Sequence, residues 1–218
     1  VTNADAVTTY RELLDIENRR IENLEPSCSG FVLLLGTKKR FPRLAHHNIF
    51  FSNDYKAEFD AIFSKKRPAA EPTIYVCATS MSDSTQSPEG HENLFILVNA
   101  PYTSGETDWE VEARPYRDLI IKMLQRFGLE GLEESIDFEE WITPEDFNEK
   151  YRANRGSIYG LSSNGIFSAF MRPPNRTSLV KNLFFVGGAT HPGGGIPLVL
   201  ISGKLASDLV SAANSSVS

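Results

Sequence analysis

The chain has 218 residues, 41% of them hydrophobic, and carries 28 acidic against 22 basic side chains for a formal charge of −6. That length suits one large or two small domains and that apolar share can build a substantial core, whereas the acidic balance excludes a general nucleic-acid binder, which needs a basic stripe. The two isolated cysteines, Cys28 and Cys77, show no C-x-x-C and no metal spacing, so they are expected to be buried free thiols in a reducing cytosol rather than a disulfide framework.

In chain order, Asp5 to Leu14 predicts a short helix. Phe31 to Leu35 is an unbroken apolar run inside a strand expected over 28–37, ended by the charges Lys38, Lys39 and Arg40 at a solvated turn. Asn48 to Ser52 predicts a second strand. Asn53 or Asp54 is placed to cap a helix reaching Phe63, with Tyr55, Phe59, Ile62 and Phe63 on one face. A basic, proline-bearing loop follows over 64–72. Strands are expected over 73–78 and 93–100, joined by a polar, turn-rich segment from Ser80 to Gly90.

Asp108 to Phe127 predicts a helix, with Pro115 dividing it or starting its second half. Its apolar stripe of Tyr116, Leu119, Ile120, Met123, Leu124 and Phe127 reads as a core face, with a lipid tunnel or membrane contact as the other possibility. Ser135 to Ile142 predicts a strand. Thr143-Pro144-Glu145-Asp146 is a strong helix start: a capping threonine, proline at the first helical position and acids in the first turn. Leu183 to Val186 predicts a buried strand, followed by a glycine-rich turn and a final helix over 195–212. The alternation indicates a mixed α/β fold. No signal peptide and no unbroken apolar run near the ~20 residues of a membrane span are visible, so membrane contact is expected to be peripheral.

The glycine-rich turn is the most informative segment. Gly187, Gly188, Gly193, Gly194, Gly195 and Gly203 crowd around the start of the last helix. Glycines before a helix let a ligand approach the backbone, and the free N–H groups and positive dipole end of that helix favour a phosphate or a developing negative charge. A tight structural turn using glycine for packing is the alternative.

The segment Phe184-Phe185-Val186-Gly187-Gly188-Ala189-Thr190-His191-Pro192-Gly193-Gly194-Gly195-Ile196-Pro197 resembles the C-terminal flavin motif of the phytoene desaturase family, the FAD-dependent carotenoid desaturases of bacteria and fungi. It departs from the family's usual order at Gly188-Ala189. Collinear segments add to the likeness: Asn3-Ala4-Asp5 with Tyr10 to Leu14, Leu44-Ala45-His46-His47-Asn48-Ile49, and Gly156-Ser157-Ile158-Tyr159-Gly160 followed by Arg172-Pro173.

The resemblance implies the C-terminal part of a two-domain FAD-binding flavoprotein of the glutathione-reductase type. An antiparallel-sheet substrate domain (16–170) would lie between a connector (1–15) and the closing strand and helix of the FAD domain (171–218). The family's G-x-G-x-x-G turn for the ADP half of FAD is not in this chain, so a partner N-terminal half of the same protein is expected, with the fragment alone inactive.

The implied cofactor is FAD, held through Gly187, Gly188, Ala189, Thr190, Gly194, Gly195, Ile196 and Pro197. The implied substrate is a hydrophobic polyene of the phytoene or dehydrosqualene type, desaturated by hydride transfer to flavin. The implied location is the cytoplasmic side of a membrane, peripherally attached. Carotenoid isomerases and oxygenases share such motifs and stay open. A flavin amine oxidase and a noncatalytic interaction module are further alternatives.

No catalytic base is assigned. His46, His47 and His191 are candidate substrate contacts. Neighbours in a strand point to opposite faces, so only one of His46 and His47 is expected in a given cavity, and a hydrogen-bonded structural pair is the favoured reading. Arg172 reads equally as an anion partner near flavin and as a surface ion pair. Four histidines with no i, i+4 pair and no carboxylate spacing give no expectation of a metal.

Overall fold

The computed structural model describes residues 1–162 and 172–215; the domain boundary expected at 170–171 lies outside the described residues. The chain divides into two compact units, Ser29–Asp146 and a second built from Val1–Cys28 with Phe147–Ser218.

The central unit is a five-stranded antiparallel sheet. Its strands are β1 (Ser29–Thr37), β2 (His47–Phe50), β3 (Ile74–Cys77), β4 (Glu92–Ala100) and β5 (Ile136–Ile142), in the spatial order β2-β3-β4-β1-β5. β1 is flanked on both sides, in register with β4 from Ser29↔Ala100 to Thr37↔Glu92 and with β5 from Val32↔Ile142 to Gly36↔Phe138. That central position explains its continuous apolar run.

β4 shows the alternation of a strand with one buried face: Leu94, Ile96 and Val98 are buried while Phe95 is exposed. The inner face, with Phe31, Leu33, Ile74 and Val76, belongs to the same core as the helix α2 (Trp109–Arg126). The Phe31 ring stacks on Trp109 with centroids 5.3 Å apart and meets Tyr116 edge-on. Each fully buried large apolar side chain contributes about 1.5–3 kcal/mol.

α2 is capped by Asp108, whose carboxylate accepts from the Glu110 N–H, and it runs unbroken through Pro115. Tyr116, Ile120, Met123 and Leu124 face the core as expected, while Phe127 stays exposed. The helix α1 (Tyr55–Phe63) begins at Asp54, whose side chain accepts from the Ala57 N–H. Of the expected face, Ile62 is buried, together with Glu58. Tyr55, Phe59 and Phe63 line up along the helix, Tyr55 tilted against Phe59 and Phe59 stacked on Phe63, as i, i+4 neighbours can. Thr143 and Asp146 form a reciprocal capping box: the Thr143 N–H donates to Asp146 Oδ2 at 2.8 Å, and the Asp146 N–H donates to Thr143 Oγ1 at 3.2 Å.

In the second unit, Asp5 caps a turn of α-helix (Ala6–Thr8) that continues as a π-helical turn to Leu13. Ala6, Val7, Tyr10, Ile21 and Phe185 form its apolar core. The strand expected over Leu183 to Val186 reduces to two bridge residues. Phe185 pairs in parallel with Thr2, and Phe184 pairs antiparallel with Arg176. A strand extends only as far as its ladder partners, and among the described residues these are single positions. The last helix, α3, spans Ile196–Ser215.

Candidate functional site

The glycine-rich turn is held by its own backbone and by four side chains. The Thr2 N–H donates to the Phe184 carbonyl at 2.8 Å, and the Val186 N–H donates to the Thr2 carbonyl at 2.9 Å. The chain then enters Gly187 at φ +106°, where a Cβ would lie 2.3 Å from Asn3 Oδ1. The Gly187 N–H donates to Ser202 Oγ at 3.1 Å, which ties the turn to α3. The buried Asn175 amide donates to the Phe185 carbonyl (3.1 Å), the His191 carbonyl (2.9 Å) and Ser202 Oγ (3.0 Å). Thr190 Oγ1 and the His191 N–H both donate to the Pro173 carbonyl. Arg172 Nη1 donates to the carbonyls of Tyr159 (3.2 Å) and Gly188 (3.1 Å), and burial pulls its guanidinium below the ordinary value. Arg172 therefore braces the motif through these two carbonyls.

The eight residues named as cofactor contacts differ in exposure. Gly187 and Thr190 are buried, while Gly188 and Ala189 are half-buried. Gly187 lies against Asn3, Ala189 lies against Gly160, and the Thr190 hydroxyl is spent on Pro173. Gly194 lies half-buried against the Tyr159 ring. Gly195, Ile196 and Pro197 are exposed, Ile196 to 78%. A Cβ on Gly195 would meet nothing within 4 Å.

The first helical bond runs from the Val199 N–H to the Gly195 carbonyl at 3.0 Å. The N–H groups of Ile196 and Leu198 therefore have no partner within the helix, and Pro197 has none to offer. Among the described residues, this helix start combines amides that lack intrahelical partners, a positive dipole and open space beside Gly195, an arrangement that can receive an anion or an electron-rich group. His191 is exposed and joins this frame through its backbone, ahead of a cis bond to Pro192.

α3 buries only Ser202 and Ala206, leaving Ile196, Leu198, Leu200 and Ile201 exposed. By length and composition it is long enough and apolar enough to cross a bilayer, a test that a core helix also passes. A search for unbroken apolar runs misses it because Lys204 and Asp208 interrupt the run. They pair with each other at 2.7 Å, one helical turn apart.

His46 and His47 do not point to opposite faces. His46 lies at a bend before β2, so strand alternation does not apply to it, and the two rings meet edge-on with centroids 4.3 Å apart. His46 Nδ1 is 2.8 Å from Ser82 Oγ, and His47 Nδ1 is 2.8 Å from Tyr75 Oη. They stand beside the outer face of the sheet, which is apolar and open, with Ile49 (55%), Phe95 (38%) and Phe138 (57%) exposed. A cavity of about 280 Å³ there is lined by Leu34, Gly36, Cys77, Phe95 and Phe138. Asn175 and Ser202 were not legible as site residues. Ser202 had a faint signal in the S-G-x-x-A spacing after the turn, and Asn175 had none.

Comparison with known proteins concerns the fold first. The fold matches the crystal structure of an oxidoreductase from Methanosarcina mazei with a TM-score of 0.50, over 87% of this chain and 36% of that one, at 12% sequence identity. At that identity the likeness shows the fold alone. No protein-family model matches the chain. In sequence it is similar to a 4,4'-diaponeurosporene oxygenase from Staphylococcus haemolyticus, 38% identical over 216 residues. It is also similar to a protein of the same name from Staphylococcus aureus strain MSSA476, at 36% identity. Each match covers 97% of this chain and 43–44% of the relative, so the chain spans less than half the length of those proteins.

Proposed function

We propose that the chain is the C-terminal part of an FAD-dependent oxidoreductase of carotenoid biosynthesis that oxidises a polyene of the 4,4'-diaponeurosporene type. One observation carries the reading: the helix start at Gly195 and Ile196 lies exposed beside open space, next to a turn anchored through Gly187, Thr190 and His191. FAD, when bound, supplies the two-electron acceptor. This chain would hold it through Gly195, Ile196 and Pro197, while Gly187, Gly188, Ala189 and Thr190 shape the turn behind them. The positive end of α3 favours the negative charge of reduced flavin. Exposed Ile49, Phe95 and Phe138 on the sheet suit a substrate with no polar handle. The exposed apolar face of α3 suits burial against the segment that binds the ADP half of FAD, and peripheral membrane contact would deliver the substrate.

The name of the relatives favours oxygenation. Desaturation is the second reading, carried by the Thr190 to Pro197 segment. The test is to co-express the chain with its upstream coding segment, record the visible spectrum, and analyse products by mass spectrometry under isotopically labelled dioxygen. Flavin absorbance with label in the product supports oxygenation; flavin with only loss of two hydrogens from the polyene supports desaturation. A folded, complete protein without flavin sinks both.

A further inference from the structure

We propose that His46, His47 and Cys77 form a binding site for a borderline-soft divalent cation, Zn²⁺ in the first instance. One ring nitrogen of each histidine and Cys77 Sγ lie within 4.8 Å of one another. The sheet register creates the cluster. His47 on the edge strand β2 is the direct partner of Cys77 on β3, so their side chains stand together on one face. The Ala78 N–H donates to the His46 carbonyl at 2.9 Å and carries the ladder one residue past the strand, which holds the His46 ring beside them.

The donor set is chemically apt. Two imidazole nitrogens and a thiolate suit zinc, with bonds of about 2.0–2.1 Å to nitrogen and about 2.3 Å to sulfur. A tetrahedral ion of that size holds its ligand atoms roughly 3.3–3.8 Å apart, so small side-chain rotations close the cluster around it. Ligating histidines characteristically give their second nitrogen to a hydrogen-bond acceptor that fixes the tautomer. That support already stands: Nδ1 of His46 meets the Ser82 hydroxyl and Nδ1 of His47 meets the Tyr75 hydroxyl, each at 2.8 Å. A ring that donates from Nδ1 leaves Nε2 unprotonated to take an ion. His47 is exposed, so an ion can enter and a water can complete the fourth position. The other thiol offers no such site: Cys28 lies in the other unit, where burial pushes it up to about 11.

The test is Zn²⁺ titration of the reduced chain, paired with the absorption spectrum of its Co²⁺ form. The expected result is one ion per chain, a thiolate-to-cobalt charge-transfer band, and affinity lowered about tenfold or more in Cys77→Ser and His47→Ala but not in His91→Ala. Equal affinity in the parent and Cys77→Ser, or a Co²⁺ spectrum without the thiolate band, overturns the site. On the unaltered chain, which avoids any folding defect of a variant, Zn²⁺ should slow alkylation of Cys77 by iodoacetamide. An unchanged rate overturns the site as well.

Discussion

The buried hydroxyl of Ser202, on α3, accepts a hydrogen bond from the Gly187 N–H at 3.1 Å, and the Asn175 amide donates to the same oxygen at 3.0 Å. One side chain thus fixes where the helix starts relative to the turn that precedes it. Ser202→Ala leaves the Gly187 N–H without its acceptor in a dry site, while the Asn175 amide keeps the Phe185 and His191 carbonyls, and losing a buried partner costs about 1–3 kcal/mol. Urea unfolding should show that loss with an unchanged slope; a variant as stable as the parent would remove Ser202 from this role.

The two glycines at either end of the motif should respond differently to alanine. Gly195→Ala meets no atom, so its cost is the left-handed backbone alone, about 1–3 kcal/mol. Gly187→Ala bears the same backbone strain and also drives a methyl into Asn3 Oδ1, for a total of about 2–6 kcal/mol. Thermal unfolding of the two variants side by side checks the order, and Gly195→Ala proving the more damaging would contradict it.

Glu92 is buried on β4, hydrogen-bonded to Ser80 Oγ, with its other oxygen 3.9 Å from the Arg40 guanidinium. Burial raises its carboxyl above the ordinary 4.5, opposed by the Arg40 charge. A carboxyl with a higher pKa in the folded state stabilises the fold fully below the unfolded value, and the contribution is lost as pH rises through the folded value. Glu92→Gln stays neutral throughout. It should therefore flatten the decline in stability from acidic to neutral pH and unfold later than the parent at pH 7. Parallel pH profiles for the two proteins would refute this account.

The capping box at Thr143 and Asp146 is the most local prediction. Thr143→Ala removes a cap worth about 1 kcal/mol, while Thr143→Ser should retain most of it. Chemical denaturation of the pair measures the difference, and equal losses in both variants would assign the effect to the missing methyl group.

Local chemistry was legible wherever it acts over a few residues. The caps at Asp5, Asp54, Asp108 and Thr143 begin helices where the sequence places them, because a side-chain oxygen two or three residues from an orphan N–H finds it in almost any fold. The apolar run of β1 and the alternation of β4 also follow from sequence, since burial on two faces or one sets the pattern. The helix start after the glycines was legible for the same reason. What those glycines do was not: Gly187 answers to Asn3 and Ala189 answers to Gly160, contacts that exist only once the chain has returned on itself.

The same limit applies to the orientation of the two histidines and to the proposed cation site. Cys77 lies thirty residues from His47 and becomes its neighbour through the β2–β3 register, while the bend at His46 cancels the alternation that the sequence implied. By itself the sequence determined the mixed α/β class, the helix caps and the position of the glycine-rich turn, because these rest on periodicity and short-range hydrogen bonds. The tertiary structure alone decided which side chains share a face and which residues brace the turn. Those depend on strand register and long-range closure, which no local pattern encodes.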